Sequence, residues 1–214
     1  NRLPRLTTHV VTEAAARRRC RDLLEQEHLL GARRPKGRSL YQVVCRDDVW
    51  VGVILWTGSC WHLKARDQWI GWDAVTRSER LPLIVHQGRL LVMDQAREPN
   101  LASQVLGAAI RDLPGQWAEV FGYRPLLAET FTNPESHAGT CYKAAGWLPV
   151  GETKGYCRHR ADFYRFHGRP KKLWLKPLGG LSPEAVRAVL CGPLPAVCRR
   201  GAQSSAAGLL PIPE

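Results

Sequence analysis

The densest chemistry in this 214-residue chain lies between Glu129 and Trp147, in the run Glu-Thr-Phe-Thr-Asn-Pro-Glu-Ser-His-Ala-Gly-Thr-Cys-Tyr-Lys-Ala-Ala-Gly-Trp. Glu129 stands near the end of an apolar strand. A carboxylate there is a candidate metal ligand, or a general base with its pKa raised by burial. The plain alternative is an ion pair with Arg77 or Arg97. Tyr142 lies thirteen residues further on, in the helix that should follow, where it could face one cleft with Glu129, Thr130 and Thr132. Its phenol can donate a proton, or attack a phosphodiester with the help of a metal ion such as Mg2+. A tyrosine that packs under the sheet and bonds a backbone carbonyl is the commoner fate. Glu129, Thr132 and Tyr142 form the candidate catalytic set, with Glu129 its metal ligand. Cys141 lacks a base at recognisable spacing, and His137 and His159 lack partners in the sequence.

Charge is the second source of chemistry. The net charge of +12 is carried in blocks: +6 over residues 1–38, −2 over 39–153, +7 over 154–178 and +1 over the remainder. Lys154, Arg158, Arg160, Arg165, Arg169, Lys171 and Lys172 are interleaved with Tyr156, Phe163, Tyr164, Phe166 and Trp174. That mixture suits a surface that tracks phosphates while aromatic faces meet bases. Trp69, Gly71 and Trp72 with Arg77 could add a stacking platform, or anchor the core. A solvated basic face is the bland reading. Clustering beyond what solubility requires favours nucleic acid, DNA above all, as the partner.

The elements that must position these groups follow from the pattern. Thr12 to Leu30 is a helix ended by Gly31. Tyr41–Cys45 and Trp50–Trp56 make a hairpin around Arg46-Asp-Asp48. Helical turns are expected over Trp61–Trp69 and Thr76–Leu81, and a strand over Arg89–Met93. Helices follow over Asn100–Leu113 and Gly115–Phe121. A strand ending at Phe131 leads to a helix over Ser136–Ala145. Leu148–Glu152 and Lys172–Lys176 are the last strands, and Ser182 caps a helix to Leu190. This order predicts an α+β fold with a mixed, mostly antiparallel sheet flanked by helices. Residues 1–38 are expected as a basic helical arm, 39–178 as the domain, and 179–214 as a helix and a tail rich in Pro, Ala and Gly.

Composition bounds the class. A hydrophobic content of 44% and eight tryptophans are those of a globular chain, and no apolar run approaches the roughly 20 residues of a membrane span. No signal-peptide core is present, so a cytoplasmic protein is expected. The seven cysteines contain no Cys-x-x-Cys pair, and Cys157-x-His159 has no second pair at metal-binding spacing, which predicts reduced thiols.

Two resemblances carry more. Asn133, Tyr142, Gly146, Trp147 and Val150-Gly-Glu152 resemble the second half of the GCN5-related N-acetyltransferase fold. In that family a strand splays open to admit acetyl-coenzyme A, and the tyrosine can protonate the departing thiolate. The resemblance implies a pyrophosphate-binding turn at Arg97, Asn100, Leu101, Ala102 and Ser103. The middle glycine of the family pattern is missing there, and Pro99 removes one amide donor. Trp69-Ile-Gly-Trp72, Arg77, Pro99-Asn-Leu-Ala-Ser103, Leu127–Phe131, Gly139-Thr-Cys-Tyr142 and Lys172–Leu178 resemble the DruA-like family, named for the Druantia anti-phage defence system, with relatives beside transposable elements. That resemblance implies a role in defence or mobile-element biology with DNA as the working partner, and it supplies no reaction. The preferred reading is a DNA-binding, strand-processing protein of such a system, with a protein partner from the same system. An acyl-coenzyme-A-dependent N-acetyltransferase is the alternative, and the cofactor stays open between Mg2+ and acetyl-coenzyme A.

Overall fold

The computed structural model describes residues 5–32, 35, 37–96, 98–160, 163–166 and 168–193; for residues 95, 156–160, 163 and 164 it describes the backbone alone. The described residues build nine strands: β1 (Thr7–Val10), β2 (Ser39–Arg46), β3 (Val49–Gly58), β4 (Ile84–Val92), β5 (Leu127–Thr132), β6 (Leu148–Glu152), β7 (Tyr156–Arg160), β8 (Phe163–Phe166) and β9 (Lys172–Pro177). The described α-helices are α1 (Ala14–Glu27), α2 (Lys64–Ile70), α3 (Ala74–Arg80), α4 (Leu101–Phe121), α5 (Thr140–Ala144) and α6 (Pro183–Cys191).

Seven strands form one sheet in the order β1-β2-β3-β4-β5-β9-β6, and β7 and β8 pair only with each other. Every pairing in the large sheet is antiparallel except β4 with β5. That parallel ladder holds three pairs, Ile84–Leu127, Val85–Ala128 and His86–Glu129. Beyond it the β3–β4 register shifts at Leu55/Trp56, leaving Gly88 as an extra residue between Gln87 and Arg89. A bulge bends and twists its strand, so β4 can depart from β5 just past Glu129.

Strand alternation sorts the core into two layers. Leu40, Val44, Ile54 and Trp56 lie under α4, where Leu101, Val105, Leu106, Ala109, Leu113 and Trp117 join one buried cluster. Gln42 ties the layers, donating to Ala109 O and to Gln116 Oε1 while accepting from Trp56 Nε1. On the other face Tyr41, Val43, Val53, Leu55 and Leu91 pack with Cys20 and Leu24 of α1. α2 packs on β6 and β9, and α6 contacts both α2 and α3. Among the described residues no helix is long and apolar enough to cross a membrane.

The α+β sheet expected from the sequence is present. Among the boundaries that differ, β4 begins at Ile84 rather than Arg89 and α5 at Thr140 rather than Ser136, and three further differences bear on helix continuity and the extent of the domain. Residues 7–27 supply β1, an edge strand of the sheet, and a helix packed on it, so the basic arm is integral to the domain. The expected break at Pro114-Gly115 does not occur: α4 runs through a buried Pro114. An interior proline costs about 3 kcal/mol, which burial of Leu113 and Trp117 on both sides offsets. The domain also continues past residue 178, because Val186 and Leu190 of α6 are fully buried in the main core.

Candidate functional site

Glu129 is fully buried, and so is its partner, Arg66 of α2. Arg66 Nη1 donates to Glu129 Oε2 at 2.9 Å and to Cys60 O at 2.7 Å, and the Cys60 N–H donates to Glu129 Oε1 at 2.9 Å. The other side of the guanidinium is held by Asp67, through Nε at 2.9 Å and Nη2 at 2.8 Å. Asp67 in turn accepts from Trp72 Nε1 and pairs with Arg77 at 3.5 Å. The ion-pair alternative for Glu129 is therefore the one realised, with Arg66 as partner and Arg77 one step removed. Arg77 keeps 17% of its side chain exposed and is turned inward to Asp67, away from an open phosphate-binding surface. Trp72 stands beside Arg66, 5.7 Å from ring centroid to guanidinium, and Trp69 packs against the core under Arg187. The tryptophan motif thus braces the α2 network.

Two further groups meet Glu129. His86 Nδ1 lies 3.9 Å from Oε1, with its ring 5.4 Å from that of Phe131. Burial lowers the pKa of His86, Glu129 opposing, so the imidazole is neutral at pH 7. The Cys60 thiol is pushed up to about 12 by burial, then by the charge of Glu129, and is protonated. The Cys60, His86 and Glu129 ligand atoms lie within 4.8 Å of one another, the one such His/Cys/Asp/Glu group among the described residues.

Tyr142 is on the opposite face of the sheet. Its hydroxyl donates to Gln87 Oε1 at 2.8 Å, Thr130 Oγ1 donates to Gln87 O at 3.0 Å, and Trp174 Nε1 donates to Thr132 Oγ1 at 2.9 Å. The ring packs between Trp147, edge-on at 5.4 Å, and Trp174, stacked at 6.0 Å. Burial raises its pKa to about 12, so it is a protonated donor. The shared cleft expected for Glu129, Thr132 and Tyr142 does not form. Successive strand side chains alternate faces, so Glu129 points to the α2 side while Thr130 and Thr132 point with Tyr142 to the α4 side. The pleat therefore sets Glu129 and Tyr142 among separate partners on opposite faces of the sheet. A Mg2+ ion on Glu129 meets a second obstacle, because Oε2 is bound by a guanidinium.

At the expected pyrophosphate turn, Asn100 adopts the left-handed conformation at φ 66°. Leu101 is buried in the core, its N–H donates to Glu98 O, and Ser103 Oγ donates to Asn100 O. Glu98 holds an ion pair with Arg46 at 2.6 Å, which sets a carboxylate beside the turn. Ala102 is half-buried in the first turn of α4, and Arg97 lies outside the described residues. With Pro99 lacking an N–H, the Leu101 N–H already bonded and no glycine, the described residues do not form a phosphate cradle. Tyr142, Thr130 and Gln87 also bridge β4 and β5 where the strands begin to diverge. Both features stand against a coenzyme A site of the usual form among the described residues.

The basic residues converge on the β6–β9 connection. Lys171 N donates to Thr153 Oγ1 and Thr153 N to Lys171 O, closing the base of the β7–β8 hairpin. Lys154, Arg165, Arg169 and Lys171 are exposed, and Lys172 Nζ stands 4.8 Å over the Trp174 ring. Arg158 and Arg160 fall in β7, their side chains outside the description. Sequence reasoning missed Cys60, Arg66, His86 and Gln87. Gln87 carried a signal, a polar residue within an apolar strand; Arg66, in a short helix, carried none.

The fold is similar to that of acetyltransferases. The spermidine N-acetyltransferase of Vibrio cholerae, in complex with CoA and spermine, has a TM-score of 0.52 at 9% identity, over 81% of this chain and 96% of that one. The ribosomal-protein-S5-alanine acetyltransferase of Vibrio fischeri has 0.50 at 10%, over 86% and 98%. The ribosomal-protein-S18-alanine N-acetyltransferase of Escherichia coli has 0.50 at 10%, over 83% and 96%. No curated protein matches the sequence. The family model described as Druantia protein DruA matches residues 3–168, covering β1 through β8, and the chain belongs to that family.

Proposed function

We propose that the protein is a DNA-binding component of an anti-phage defence or transposition system. The observation that carries this reading is the basic β6–β9 connection, in which Lys154, Arg165, Arg169 and Lys171 stand exposed beside Lys172, on a segment with a net charge of +7. Membership of the DruA family supports the defence setting. Binding would rest on phosphate contacts with counterion release, and a protein partner of the same system would supply target choice. Fluorescence anisotropy on labelled single- and double-stranded DNA, across a salt series, tests it. Replacing the five residues by glutamine should flatten the log–log salt dependence by about 0.7–0.9 per lost phosphate contact. Binding indifferent both to salt and to the five substitutions would refute the proposal.

The second reading, an acyl-coenzyme-A-dependent N-acetyltransferase with Tyr142 as acid, is favoured by the acetyltransferase-like sheet and opposed by the turn at Pro99. It requires a saturable thermal shift with acetyl-coenzyme A; none at millimolar cofactor removes it.

A further inference from the structure

We infer that Cys60, His86 and Glu129 form a three-ligand site for a zinc-class divalent metal ion, with a fourth coordination position open to solvent. The three donors reach one point from the β3–α2 connection, from β4 and from β5, and their ligand atoms already lie within 4.8 Å of one another. Zinc binds sulfur at about 2.3 Å and nitrogen or oxygen at about 2.0–2.2 Å, which puts tetrahedral ligands about 3.3–3.7 Å apart. A small contraction closes the site.

The surroundings fit this use. His86 Nδ1 is buried with no hydrogen-bond partner, 3.9 Å from Glu129 Oε1. An imidazole nitrogen and a carboxylate oxygen at that separation can take one ion between them. Glu129 is oriented from behind: Arg66 takes Oε2 and the Cys60 N–H takes Oε1. That leaves the second lone pair of Oε1 for the metal, and such hydrogen bonds to a ligating carboxylate fix its direction. Arg66 is neutralised in turn by Asp67, so its charge does not fall wholly on the ion. A thiolate, an imidazole and one carboxylate oxygen are the donors zinc prefers, whereas magnesium takes oxygen. On binding, the Cys60 thiol gives its proton to solvent, and thiolate and carboxylate balance the two charges of the ion. His86 keeps 19% of its side chain exposed, a route by which solvent would reach a fourth position. Three protein ligands with an open place are the arrangement in which zinc holds a reactive water.

The test uses the full chain, stripped with a chelator and then dialysed against Zn2+. Elemental analysis should give one zinc per chain at micromolar protein, with a raised melting temperature. Co2+ in its place should give thiolate-to-cobalt absorption in the near ultraviolet, absent from Cys60→Ser. His86→Ala should lose at least tenfold in zinc affinity. Wild-type protein that retains no zinc, or zinc retained unchanged by both variants, overturns the assignment. X-ray absorption at the zinc edge keeps it falsifiable if the variants fail to fold: one sulfur at about 2.3 Å beside nitrogen and oxygen ligands supports the site. A shell with no sulfur, or with two or more, overturns it.

Discussion

Arg66 and Glu129 carry opposite charges with no exposed surface on either side chain. Taking two ions out of water costs several kcal/mol each, recovered only while both are present and hydrogen-bonded. Removing Arg66 leaves the Glu129 carboxylate buried without its guanidinium, held by the Cys60 N–H. Arg66→Ala should therefore destabilise the protein by about 3–5 kcal/mol, read as a shift in the urea midpoint. Arg66→Met combined with Glu129→Leu should recover most of that loss, because the pair is replaced by apolar volume. A single variant as stable as wild type would show that the pair is solvated in solution. A loss of function on changing Glu129 has to be judged against this stability, since the same carboxylate is structural and, in the zinc assignment, a ligand. Tyr142 differs: buried between two tryptophans and bonded to Gln87, it fixes how β4 departs from β5.

At the scale of elements, the pleat of β5 decides the site. Glu129 against Thr130 and Thr132 is a difference of parity along one strand, and period two sends them to opposite faces. That consequence was available from the sequence once the strand was assigned, and placing all of them in one cleft overlooked it. The junction of β1 with α4 was not available. Thr8 Oγ1 donates to Asp112 Oδ2 at 2.7 Å, and Gln116 Nε2 donates to Thr8 O, joining residues more than a hundred positions apart. The hydrogen bond from Arg111, with that from Thr8, holds the Asp112 carboxyl below its ordinary value against the opposing effect of burial. A lowered carboxylate pKa contributes stability above its unfolded value near 4 and loses it as pH falls through the folded value. Asp112→Asn should thus lower stability at pH 7 and narrow its gap to wild type as pH falls below about 4, measured by melting temperature against pH.

At the scale of the molecule, the seven-stranded sheet carries α2 and α3 between β3 and β4, the β7–β8 hairpin between β6 and β9, and α6 after β9. The last of these, α6, belongs to the main core. Val186 and Leu190 bury fully, each worth about 1.5–3 kcal/mol, so ending the chain at residue 178 should cost about 3–6 kcal/mol in urea unfolding. Ending it at residue 193 retains all of the described packing, and equal loss from both truncations would contradict this account. By itself the sequence determined the α+β class, most strands and helices of the sheet, the uneven charge and the family motifs, because these depend on local periodicity and composition. It also marked Glu129 as unusual, a carboxylate inside an apolar strand. Only the tertiary structure decided what Glu129 meets. Cys60 and Arg66 lie six residues apart, whereas His86 and Glu129 come from two other strands, and a contact between distant segments is set by how strands register and helices pack, which no local spacing records.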